Sequence, residues 1–68
     1  MNLNGIKDAM KQQGISVDRL AEISGLDRAK LYRRFNTNGE KMTVSELKTI
    51  TAALGLSKDT VVGIFFSE

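Results

Sequence analysis

The 68 residues include no cysteine, no histidine, no tryptophan and no proline. Without cysteine no disulfide framework can form, and without thiol or imidazole ligands a structural zinc site has nothing to hold the ion; a carboxylate-only site would suit calcium or magnesium. The missing imidazole also deprives a serine or cysteine nucleophile of its usual base. The 6 glycines are scattered singly along the chain, so no glycine-rich phosphate loop is present. Two carboxylates could still meet in space, but a cleft around them needs more chain than this. Neither catalysis, a metal, a cofactor nor a small-molecule substrate is expected. The longest apolar stretch, Val61 to Phe66, is interrupted by Gly63, so neither a membrane span nor a secretory signal is expected and the reading is cytoplasmic.

A chain this short, 41% hydrophobic, accommodates one core and one domain, residues 1–68. A globule of this size buries only about 60% of the surface its unfolded chain exposes, so well-formed helix packing or a partner must supply the missing stability. The net charge of +2 says little, but its distribution says more. Between positions 27 and 41, Arg28, Lys30, Arg33, Arg34 and Lys41 face only Asp27 and Glu40, a local charge of +3.

The remaining sequence reads as five short helices. Ile6, Ala9 and Met10 lie at helical spacing, with Asn2 or Asn4 as the cap, Gly5 weakening the first turn and Gly14 ending helix 1. Ser16 caps helix 2, which places Asp18 in its first turn and turns Val17, Leu20, Ala21 and Ile23 inward. After Gly25 and Leu26, Asp27 caps helix 3, whose apolar seam is Leu31 and Phe35. Asn36 to Met42 is a polar loop; its Asn38-Gly39 pair could also turn a hairpin, although the flanks lack strand alternation. Thr43-Val44-Ser45-Glu46 matches a capping box and opens helix 4, with Leu47, Ile50, Ala53 and Leu54 inward and Gly55 at its end. Ser57 can cap a fifth element, an apolar helix or tail at about 57–66; the β-branched Val61, Val62 and Ile64 together with Gly63 leave a terminal strand as the competing reading.

Helices 2 and 3, joined through Gly25 over about residues 16–35, fit the helix-turn-helix, whose second helix enters the DNA major groove. Ala21 provides the small residue for close helix contact, Gly25 the positive φ of the turn, and Leu26 an apolar plug, while Leu31 faces back onto Leu20. These residues resemble those of the lambda-repressor and Cro-like (Xre-type) helix-turn-helix family. The matching string is Gly14-Ile15-Ser16, Leu20-Ala21, Ser24-Gly25-Leu26, Leu31, Arg33 and Asn36, then Leu47 and Ala53-Leu54-Gly55-Leu56-Ser57. The resemblance covers nearly the whole chain. It implies an all-α, compact five-helix lambda-repressor-like domain and a transcriptional regulator that binds operator DNA, usually as a dimer. The short length and the Ile64-Phe65-Phe66 ending are more similar to small regulators of phages and prophages than to two-domain repressors. Two positions depart from the family pattern. Val17 stands where Gln often contacts a phosphate and packs on helix 3, and Asp27 stands where Ser or Thr is common.

With Leu31 and Phe35 turned inward, Ala29, Lys30, Arg33 and, to a lesser degree, Tyr32 point outward, and Arg28 can reach the groove from the helix start. The base-reading candidates are therefore Arg28, Ala29, Tyr32 and Arg33, with Arg33 the first choice for a bidentate bond to guanine. Phosphate-contacting candidates are Ser16 at the helix 2 N-terminus, Lys30, and Asn36, Asn38, Lys41 and Thr43 around the following loop. Each has a plainer reading: a solvated cationic face for Arg28, Lys30, Arg33 and Arg34, a helix former for Ala29, a half-buried ring for Tyr32, a capping-box residue for Thr43. Val62, Phe65 and Phe66 are candidates for a homodimer interface, which would set two recognition helices about 34 Å apart. The alternative function is an antirepressor or modulator that binds another repressor protein, suggested by Val17, Asp27 and the modest net charge.

Overall fold

The computed structural model describes residues 3–66. Five helices follow in order: α1 (Asn4–Gln13), α2 (Val17–Ser24), α3 (Arg28–Asn36), α4 (Val44–Ala53) and α5 (Lys58–Phe66). The starts of α2, α3 and α4 are held by the expected side chains. Ser16 Oγ accepts from the Arg19 amide at 3.1 Å and an Asp27 carboxylate oxygen from the Lys30 amide at 2.9 Å. In the capping box, Thr43 Oγ1 accepts the Glu46 amide at 3.0 Å while Glu46 Oε1 accepts the Thr43 amide at 2.9 Å. Each such cap stabilises its helix by about 1 kcal/mol.

Helix α1 begins differently. Leu3 occupies the N-cap without a side-chain hydrogen bond, and Asn4 is already inside the first turn rather than capping it; Asn2 lies outside the described residues. Leu3 is fully buried, so apolar contact anchors this end instead of a polar acceptor. Leu3, Ile6, Leu20, Leu47 and Ile50 form the centre of the core, and Leu31, Met10, Met42, Leu54 and Ile64 surround them. Ile23, expected inward, is 37% exposed: it falls on the outer side of a helix that buries Leu20 and Ala21.

The polar loop after α3 packs more tightly than its composition suggests. Asn38 and Gly39 both adopt positive φ, at 55° and 79°. They close a left-handed turn in which the Gly39 amide donates to the Arg34 carbonyl at 2.8 Å and the Met42 amide to the Gly39 carbonyl at 3.1 Å. There is no strand among the described residues, so the hairpin and terminal-strand readings both give way to helix and turn. A side chain on Gly39 would meet Leu3 Cγ at 2.8 Å; glycine is needed there for space as well as for backbone conformation.

Helix α5 is capped by Ser57, whose Oγ accepts the Thr60 amide at 3.2 Å, and it packs on α1. Its buried residue, Ile64, lies where a Cβ on Gly5 would be 3.0 Å from Ile64 Cγ1. Gly5 is therefore the notch that admits α5, a role beyond the loss of helix propensity expected from its position. The β-branched residues do not prevent the helix because burying Ile64 against α1, with Val61 and Phe65 partly buried, outweighs propensity differences of a few tenths of a kcal/mol per residue. No helix of the described residues is long and apolar enough to cross a membrane.

Candidate nucleic-acid interface

Helix α2 packs on α3 through the turn at Gly25, whose φ of 75° ends α2 in the left-handed region, while Leu26 turns partly into the core. This turn holds α3 with Leu31 buried and Phe35 half-buried beneath it. The 3.6-residue period then divides the rest of α3 into an outer ridge and two flanks.

On the flank towards α2 lie Arg28 and Tyr32, one turn apart. The Tyr32 phenol donates to Asp18 Oδ1 at 2.9 Å, and Arg28 Nη1 lies 3.8 Å from the same oxygen. Donating its proton to a carboxylate raises the phenol pKa above its ordinary 10.0, with desolvation and the Asp18 charge adding and Arg28 opposing. On the flank towards α4 lie Lys30 and Arg34, again one turn apart. Arg34 Nε donates to Glu46 Oε1 at 3.1 Å, and Lys30 Nζ lies 3.6 Å from Glu46 Oε2. Glu46 is held below the usual carboxylate range, chiefly by the Thr43 amide that donates to it; partial burial opposes this and Arg34 reinforces it.

Between the flanks runs the ridge of Ala29, Arg33 and Asn36, all exposed. Arg33 is exposed and has no ion pair and no side-chain hydrogen bond among the described residues, so its guanidinium donors are unused there. At the C-terminal end of α3, Arg33, Arg34, Asn36, Thr37 and Lys41 line a depression of about 340 Å³ with no carboxylate in its wall. Thr37 belongs to this wall because its hydroxyl donates back to the Arg33 and Arg34 carbonyls, at 3.3 and 3.1 Å.

The candidates from sequence thus separate. Arg28, Ala29, Tyr32 and Arg33 share the outward half of α3. Asn36 and Lys41 meet in the cationic depression, whereas Asn38 stands outside its lining and is committed to the left-handed turn. Ser16 and Thr43 occupy the N-termini of α2 and α4. Each hydroxyl oxygen accepts its capping amide and keeps a proton free to donate, so capping and anion contact are compatible. Arg34 is a correction: its side chain is 20% exposed and bound to Glu46, a strut between α3 and α4 rather than a solvated cation. Val17 is partly buried and lines an apolar depression with Met10, Ile15 and Phe35, so this position contributes packing and no side-chain hydrogen bond. Sequence reasoning missed Asp18 and Glu46 as partners of the α3 cations. Periodicity within α3 could have grouped Arg28 with Tyr32 and Lys30 with Arg34, but nothing local identifies the carboxylates they meet.

A glycine-turned helix pair presenting the cationic, unobstructed face of its second helix defines a helix-turn-helix domain of the DNA-binding class. Residues 5–63 match the Cro/C1-type HTH DNA-binding domain, and the chain belongs to that family. The all-α, lambda-repressor-like fold and a DNA-binding regulatory role follow from that membership. No curated protein and no solved structure matched the chain.

Proposed function

We propose that the protein is a sequence-specific transcriptional regulator of phage or prophage type that places α3 in the major groove of operator DNA. The observation that carries this reading is Arg33: it projects from the outer ridge of α3 with no partner among the described residues, while the cations on either side are engaged. An arginine so placed suits bidentate bonds to guanine O6 and N7. Arg28, Ala29 and Tyr32 are the accompanying base-reading residues. Ser16, Lys30, Asn36, Asn38, Lys41 and Thr43 position the backbone; for Lys30 this means exchanging Glu46 for a phosphate.

Each copy presents a single α3 and so reaches one major groove, the next on the same side of the duplex lying about 34 Å away. A homodimer would read two half-sites. Val62 and Phe66, one turn apart on α5 and 47% and 82% exposed, supply its apolar surface, with the half-buried Phe65 supporting them from the core side. The same exposed pair supports a second reading, in which α5 docks on another repressor.

Titration of labelled duplexes from the gene's own neighbourhood tests the proposal. Affinity should fall with salt at a log-log slope of about −0.9 per phosphate neutralised. Arg33→Ala should lose about 1 to 3 kcal/mol at one base position, whereas Lys41→Ala should weaken all sequences alike. Equal, sequence-blind losses from both would refute base reading by Arg33. Absence of any shift at low salt, with co-purification of a neighbouring repressor, would favour the second reading.

A further inference from the structure

We infer that Asp18 is a specificity-determining positioning residue, a carboxylate on α2 that preorganises the base-reading flank of α3 while repelling the DNA backbone. The inference rests on the DNA-binding reading above and assigns a role to a residue outside the recognition helix.

Asp18 Oδ1 accepts the Tyr32 hydroxyl at 2.9 Å and lies 3.8 Å from Arg28 Nη1. Arg28 and Tyr32 are two of the four base-reading candidates, and both side chains would otherwise sample several rotamers in solvent. A shared acceptor on the neighbouring helix narrows that sampling before DNA arrives, which lowers the ordering entropy lost on recognition. The contact adds little to folding, because Arg28 and Asp18 side chains are 69% and 56% exposed. Capping does not require it either, since Ser16 Oγ already accepts the Arg19 amide.

Asp18 is also an anion in the first turn of α2, two residues beyond Ser16, the proposed phosphate site. There it opposes every phosphate backbone, whatever the base sequence. Its two effects have opposite signs: affinity for arbitrary duplex falls and discrimination between duplexes rises. A carboxylate that merely favours the helix dipole would produce the first effect without the second, so the change in discrimination is what identifies the positioning role.

The test compares wild type, Asp18→Asn and Tyr32→Phe on two probes across a range of salt. One probe is a duplex pool with a randomised core; the other is the duplex that wild type selects from that pool. Asp18→Asn should bind the random pool more tightly, by up to about eightfold near 0.1 M salt, the equivalent of one neutralised phosphate. The ratio of selected to random affinity should narrow at the same time. Tyr32→Phe should narrow the ratio without tightening the pool. A ratio unchanged in Asp18→Asn overturns the inference while leaving the DNA-binding reading intact, and a wild type that binds no duplex overturns both. Because the chain has 1 tyrosine, tyrosinate absorbance reports the contact in the free protein. The Tyr32 transition should lie above 10.0 in wild type and move back towards it in Asp18→Asn; no movement also overturns the inference.

Discussion

Glu46 makes three contacts, one at the start of its own helix and two to α3, and replacing it with alanine removes all three together. The first is the capping-box acceptor for the Thr43 amide at 2.9 Å, a cap contribution of about 1 kcal/mol. The second is the bond from Arg34 Nε at 3.1 Å, between side chains only 20% and 13% exposed. An exposed ion pair contributes about 0–1 kcal/mol and a charge-assisted hydrogen bond about 1.5–3, so a partly screened pair falls near 1–2 kcal/mol. The third, Lys30 at 3.6 Å, is half exposed and adds at most a few tenths of a kcal/mol. Glu46→Ala should therefore destabilise the fold by about 2–3 kcal/mol, a large share of the total for a domain of this size, and lower Tm by about 10–25 °C. Urea unfolding followed by helical circular dichroism measures the loss. Glu46→Gln, which keeps an oxygen acceptor but no charge, should recover about half of it, and a double-mutant cycle with Arg34→Ala should return a coupling of about 1–2 kcal/mol. A loss below about 1 kcal/mol in Glu46→Ala, or a coupling near zero, would refute the strut between α3 and α4.

Acid should loosen the same corner. The Glu46 carboxyl is depressed below its ordinary 4.5, mainly by the Thr43 amide, so its contribution is complete above the unfolded value and is lost as pH falls through the folded one. The urea midpoint should decline from about pH 5 towards pH 3, and Glu46→Gln should flatten part of that decline. Gly39→Ala should cost about 2–4 kcal/mol, because it combines a left-handed backbone strained for alanine with a Cβ 2.8 Å from Leu3 Cγ. Gly25→Ala, with similar φ but open space around its Cβ, should cost only about 1–2 kcal/mol; equal losses at the two sites would eliminate the Leu3 contact as a cause. Phe66→Ser should reduce self-association in sedimentation while leaving Tm nearly unchanged, since this ring is 82% exposed; an unchanged mass in wild type and variant would remove α5 as a dimer interface.

Local chemistry explains what could be read from the sequence. Ser16, Asp27 and the Thr43–Glu46 box act across three residues, and the left-handed Gly25 acts on its own backbone, so each leaves its signal beside the feature it makes. The outward face of α3 was likewise accessible, because Leu31 and Phe35 set its rotation and Ala29, Arg33 and Asn36 follow from helical geometry. The missed pairs connect distant stretches. Arg34 meets Glu46 across 12 residues and Tyr32 meets Asp18 across 14, so nothing near Arg34 or Tyr32 identifies the carboxylate it meets.

The amino-acid pattern was thus sufficient to specify the first four helices, the turn between α2 and α3, and a cationic outer face on α3, since caps, turns and periodicity are properties of a few neighbouring residues, whereas the fifth element stayed open between helix and strand until packing buried Ile64 against α1. Tertiary packing alone decided which cations have a carboxylate partner. It brought Asp18 and Glu46 to opposite flanks of α3, occupying Arg28 and Tyr32 on one side and Lys30 and Arg34 on the other, and left Arg33 on the ridge between them. It also gave Gly5 and Gly39 their purposes, as spaces for Ile64 and Leu3, because a close approach depends on what the rest of the chain brings there.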